Sequence, residues 1–119
     1  MPMTSNEADP EGFVTALASS RVKANDVAFV ELETHPIALV RIDGQVRAFY
    51  ALCPHQLGDL SRGIFYRCEI ECPGHQWRFD VRSGQCVYPD SESLTLRFYD
   101  VKEEDGMIKI KLPPDRRKR

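Results

Sequence analysis

Two short stretches decide how this chain is read. The first is Leu52-Cys53-Pro54-His55-Gln56-Leu57-Gly58-Asp59-Leu60, and the second is Glu71-Cys72-Pro73-Gly74-His75-Gln76-Trp77-Arg78-Phe79. Each holds one cysteine and one histidine, as Cys-x-His and then Cys-x-x-His, with sixteen residues between His55 and Cys72. Thiolate is soft and charged, whereas imidazole is neutral and borderline, so the set selects transition metals over hard cations. Two metal chemistries suit it. One is a [2Fe–2S] cluster with two sulfur and two nitrogen ligands. The other is tetrahedral zinc, but the spacings depart from those of a zinc finger.

The flanks of both stretches read as β-structure. Gly12 to Ala18 is expected as a first strand, with a short helix over Phe13 to Ser20 as the competing reading because Ala16, Leu17 and Ala18 favour it. Ser19 to Asp26 lacks periodicity and reads as a loop. Val27 to Leu32 and Ile37 to Ile42 are rich in strand formers. Between them Thr34-His35-Pro36 punctuates, and Pro36 is expected to stay out of the ladder. Asp43-Gly44 signals a two-residue hairpin returning through Gln45 to Tyr50, because both turn positions need positive φ. That hairpin leads into the first stretch. Gly63 to Arg67 and Glu69 to Glu71 read as short strands before the second.

Beyond the second stretch, Phe79 to Val81 and Gln85 to Val87 flank a turn at Arg82-Ser83-Gly84. Tyr88 to Ser91 reads as a loop. Leu94 to Tyr99 alternates and is expected as a strand continuing to Val101. Asp105-Gly106 turns it into Met107 to Leu112, where Pro113-Pro114 stops the sheet. Short strands with frequent turn signals predict an all-β sandwich or barrel.

The two boxes and their flanks resemble the Rieske iron–sulfur family. Leu60-Ser61-Arg62-Gly63 and Trp77-Arg78-Phe79-Asp80 are also similar to that family, and the resemblance extends from about Glu11 to Leu112. It implies an antiparallel β-sandwich or barrel carrying a cluster-binding subdomain of two ligand loops and a proline loop. It further implies one [2Fe–2S] cluster, with Cys53 and Cys72 on the buried iron and His55 and His75 on the outer one. Pro89 would lie in the third, covering loop. Charge explains what the histidines do. Two ferric ions, two sulfides and two thiolates sum to zero, so an added electron meets less repulsion than in an all-cysteine cluster.

High-potential members carry a second cysteine pair at positions matching Gly58 and Gly74, so that bridge is impossible here. They also place a serine and a tyrosine, whose hydroxyls bond to sulfur, where this chain has Trp77 and Phe79. Trp77 offers one N–H and Phe79 none. Fewer donors leave the reduced state less stabilised, which predicts a potential of roughly −150 mV.

At 119 residues the chain holds one domain, read as a disordered arm over 1–10, the cluster domain over 11–112 and a basic tail over 113–119. The tail ends in Arg116-Arg117-Lys118-Arg119, a solvated end or a docking element for an acidic partner. A net charge of −2 supplies no field for nucleic acid. Neither a signal peptide nor a membrane span is read, which leads to the cytoplasm as the expected location. The two remaining cysteines, Cys68 and Cys86, lie in strand-like surroundings and are expected as free thiols, with a Cys68–Cys86 bridge as the minor alternative.

Only three histidines exist, which leaves His35 alone and cannot supply the 2-His-1-carboxylate site of an oxygenase. No Gly-x-Gly-x-x-Gly follows a strand, so no nucleotide domain is read. The resemblance therefore implies an electron-carrying ferredoxin and not an enzyme, loaded by an NAD(P)H-dependent flavoprotein reductase and unloaded by a terminal oxygenase. Alternatives are a fixed subunit similar to the small subunit of nitrite reductases, and a redox sensor.

Overall fold

A computed structural model describes residues 11–54, 58–73, 77–88 and 94–112. Within them the polar–apolar alternation folds into β1 (Phe13–Ala18), β2 (Ala28–Leu32), β3 (His35–Ile42), β4 (Gln45–Tyr50), β5 (Ile64–Tyr66), β6 (Glu69–Glu71), β7 (Arg78–Asp80), β8 (Cys86–Tyr88), β9 (Phe98–Glu104) and β10 (Met107–Lys111). The first segment is a strand and not the competing helix, because Val14 packs into the core while β1 pairs with β10. Two short 3-10 turns, Ser19–Arg21 and Leu60–Arg62, are the helical pieces among the described residues.

The strands form two antiparallel sheets. The large one has the order β1-β10-β9-β4-β3-β2, and its edge strands β1 and β2 approach one another, so it curls into a nearly closed barrel. The small one has the order β5-β6-β7-β8. One apolar cluster fills the barrel, around Val14, Ile37, Leu39, Ile108 and Ile110. A second lies between the sheets, where Ala38, Val40 and Phe49 of the barrel meet Ile70, Phe79 and Val81. The strand β3 serves both clusters, which explains the unbroken apolar run Ile37-Ala38-Leu39-Val40: a strand buried on both faces does not alternate.

Both predicted two-residue turns form. Asp43 and Gly44 have φ of 51° and 81°, and Asp105 and Gly106 have 54° and 77°. Two further hairpins turn through non-glycine residues: Glu33-Thr34 at 48° and 72°, and Arg67-Cys68 at 53° and 66°. Cys68 therefore sits in a turn and not in a strand. Such residues carry a backbone cost of about 1 kcal/mol each, which the flanking ladders must hold in place.

Pro36 corrects an expectation, because it lies inside β3 opposite Glu31. The closing pair of the hairpin is Leu32 with His35, and a two-residue turn makes that pair the hydrogen-bonded one. The nitrogen of Pro36 then faces away from β2. On its other side β4 has already ended, since pairing starts at Ile37 with Tyr50. No ladder donor is lost, and the Pro36 carbonyl accepts from Ala51 N–H at 2.8 Å.

Leu94 to Arg97 corrects another. The strand starts only at Phe98 and runs to Glu104. The residues before it cross between the sheets: Thr95 bridges Gln85, Leu96 N–H donates to Gly84 O at 2.8 Å, and Tyr50 N–H donates to Arg97 O at 2.8 Å. Local alternation is satisfied there by a link between layers.

Candidate metal centre

Two loops close in the same way. In the first, Ala51 and Leu60 pair through Leu60 N–H to Ala51 O at 2.7 Å, Leu52 bridges Asp59, and Cys53 N–H donates to Gly58 O at 2.7 Å. In the second, Cys72 N–H donates to Trp77 O, also at 2.7 Å. Each cysteine thus anchors the neck of its loop by bonding the carbonyl five residues on. The second neck is continued by the pairing of Glu71 with Arg78 in β6 and β7.

Local chemistry fixes the exit of the first loop. The Asp59 carboxylate accepts from Ser61 N–H at 2.9 Å and Ser61 Oγ at 2.6 Å, starting the turn Leu60–Arg62. Leu60 is fully buried beneath it. Gly63 then passes so close to β6 that a Cβ there would collide with the Glu71 carbonyl oxygen.

The result is that Cys53, delivered by the barrel, and Cys72, delivered by the small sheet, meet. Both are wholly excluded from solvent, and their thiols are within hydrogen-bond reach. Burial pushes the Cys72 thiol up to about 12, and the hydrogen bond and charge of Cys53 push the same way. No charged or polar side chain among the described residues is buried with them. Two thiolates cannot share such a place unless positive charge arrives with the ligand they hold. Paired ferric ions supply it, so the donor pair fits the iron–sulfur cluster.

Of the other residues singled out in the sequence, His55, His75 and Pro89 lie outside the described residues, as does Gly74. No cluster of three His, Cys, Asp or Glu side chains forms among the described ones, so the two sulfurs are what the structure brings together. Phe79 is fully buried in the same apolar cluster as both cysteines, and Trp77 packs against it, the two rings 6.5 Å apart and tilted by 32°. Cys68 and Cys86 pack against this cluster too, and no disulfide joins them.

Sequence reasoning missed the steric part of the site. Gly58 was notable only as the place of an absent cysteine. It faces Cys72 Sγ, and its carbonyl closes the first loop. The signal was a glycine five residues after the first cysteine.

An all-β scaffold that buries two thiols from two loops at one point has the donor pair of an iron–sulfur domain. The chain belongs to the Rieske [2Fe–2S] domain family, whose model matches residues 12–99, and its cofactor is one Rieske-type [2Fe–2S] cluster. It is 34% identical over 102 residues to the ferredoxin component of the naphthalene 1,2-dioxygenase system of Pseudomonas aeruginosa, covering 86% of this chain and 97% of that one. Among solved structures it is similar to the ferredoxin of Sphingomonas yanoikuyae B1, with a TM-score of 0.77 and 28% identity, covering 85% and 99% of the two chains. It is also similar to the ferredoxin of carbazole 1,9a-dioxygenase from Nocardioides aromaticivorans IC177, with a TM-score of 0.74 and 30% identity, covering 83% and 96%. No helix among the described residues is long and apolar enough to cross a membrane.

Proposed function

We propose that this protein is a one-electron carrier, a ferredoxin component that takes electrons from an NAD(P)H-dependent flavoprotein reductase and passes them to a terminal oxygenase. It is the electron-transfer component of such a system and not its catalyst. Cys53 and Cys72 hold one iron, and His55 and His75 hold the other. When bound, the cluster accepts and releases one electron.

The observation that carries the reading is the meeting of two buried thiols from two identically closed loops. The chain's own residues do the rest. The barrel and the small sheet exclude water from the sulfurs, and Phe79 and Trp77 keep their surroundings apolar. The outer face of the small sheet exposes Ile64, Tyr66 and Tyr88, which suits a protein that docks to other proteins. The cytoplasm is the proposed compartment, because the NAD(P)H that feeds the proposed reductase is there and the two further cysteines stay unpaired under reducing conditions. The fixed-subunit alternative has less support, since the matched relatives named above are ferredoxins.

The test begins with iron and sulfide analysis of aerobically purified protein and its EPR spectrum after dithionite. Two irons per chain and a Rieske signal are expected. Stoichiometric zinc in a colourless, EPR-silent protein would end the cluster assignment. His75→Ala should abolish the Rieske spectrum and electron delivery to the oxygenase; full delivery by that variant would refute the ligand role of His75.

A further inference from the structure

The two sulfurs that must hold one iron hang from different sheets, Cys53 after β4 and Cys72 after β6. What sets the distance between them is therefore the joint between the sheets. The side chain of Arg47 spans it with two hydrogen bonds. Arg47, on β4, donates from Nε to Val81 O at 3.3 Å and from Nη2 to Arg82 O at 2.9 Å. Those carbonyls directly follow β7, the strand that pairs with β6 and so carries Cys72.

The rest of the joint is built around the same guanidinium. Its carbon lies 4.2 Å from the centroid of the Phe98 ring, and Phe98 stands edge-on to Phe49 at 6.3 Å. A Cβ on Gly84, in the turn after Arg82, would approach Phe98 Cε2 to 2.8 Å, so the turn is seated directly on that ring. Arg82 in turn pairs with Asp43 in the β3–β4 hairpin at 3.2 Å. Val81 itself is fully buried and donates its N–H to Cys68 O at 2.9 Å. A planar guanidinium presents its five donors in a fixed fork, so it bonds two successive carbonyls while lying over a ring; an ammonium is a point charge without that fixed geometry.

We propose that Arg47 is a positioning residue for the cluster: by clamping β4 to the Val81-Arg82 segment it holds Cys53 and Cys72 at the separation one iron requires. The inference rests on the reading of those two cysteines as ligands. It predicts an effect on cluster retention larger than the effect on folding.

The experiment compares variants of the full-length, cluster-loaded protein. Visible bleaching by an iron chelator gives the rate of cluster loss, EPR linewidth gives the spread of site geometries, and apo-protein melting gives stability. Arg47→Met removes both donors, and Arg47→Lys keeps the charge but not the planar fork. Ile108→Ala truncates the barrel's far core and serves as the control for general destabilisation. Arg47→Met should lose its cluster about tenfold faster than the control at matched melting temperature, with a broadened signal, because charged donors leave two carbonyls behind. Arg47→Lys should fall between it and wild type. Equal loss in Arg47→Met and the control, or a wild-type rate and linewidth in Arg47→Lys, overturns the proposal. If Arg47→Met does not fold, the Arg47→Lys comparison decides alone. Cys72→Ser is tested in parallel: if it keeps a Rieske spectrum, the ligand reading has failed and not the clamp.

Discussion

Gly58 faces the sulfur of Cys72 so closely that a Cβ built on it would stand 3.1 Å from Sγ. The two residues belong to different loops, and their contact limits how near those loops can come. Gly58 is not in the left-handed region, so a side chain there meets only a steric objection and no backbone one.

Gly58→Ala should therefore fold and yet hold its iron less firmly. Overpacking costs about 1–3 kcal/mol, and a sulfur held by metal has little freedom to yield. Iron content per chain and visible absorbance should drop while apo-protein melting stays near wild type. Full iron loading in this variant would show that the loops can separate.

Gly63→Ala should be worse and of a different kind. Its Cβ would collide with backbone, the Glu71 carbonyl oxygen, which cannot swing aside. The β5–β6 pairing should open, at a cost above about 3 kcal/mol, and the small sheet should lose its amide protection in hydrogen exchange while β9 and β10 keep theirs.

The reduction potential should lie near the low end of the family, roughly −150 mV. The reason is Phe79, buried beside both cysteines without a hydroxyl to give to sulfur. Phe79→Tyr is expected to raise the midpoint by about 60 mV, a tenfold shift in a one-electron equilibrium, where the hydroxyl reaches sulfur. Voltammetry measures both. A wild-type midpoint well above zero would refute the donor argument.

Glu103 supplies a pH-dependent contribution from the barrel. Its carboxylate bonds Arg41 at 3.0 Å, and that hydrogen bond is the main cause of its lowered carboxyl pKa. A lowered folded-state pKa stabilises the fold above the unfolded value and ceases to do so as pH falls through the folded one. Glu103→Gln should thus melt lower than wild type near pH 7, by the equivalent of about 0.5 kcal/mol for a pair that is partly solvent-screened. The gap should close in acid, below the ordinary carboxylate range. A gap that persists there would assign the effect to packing.

Several elements could be read without any coordinates because their signals are local. Asp43-Gly44 and Asp105-Gly106 announce their turns, since glycine and aspartate tolerate positive φ. The turns at Glu33-Thr34 and Arg67-Cys68 gave no such notice, because residues with side chains enter that region only under the grip of flanking strands. Leu94 to Arg97 alternates like a strand but crosses between layers, and Pro36 looks like a stop but sits where no donor is needed. In each case the deciding partner lies far away in the chain.

The cysteine and histidine boxes, taken alone, narrowed the metal chemistry to a site of two sulfur and two nitrogen donors, because ligand type and spacing are properties of neighbouring residues. Only the tertiary structure decided that Cys53 arrives from the barrel and Cys72 from the small sheet, with Gly58 against the Cys72 sulfur and Arg47 bonded across the joint. A distance between two sheets depends on contacts among residues remote in the chain, and no local pattern encodes it.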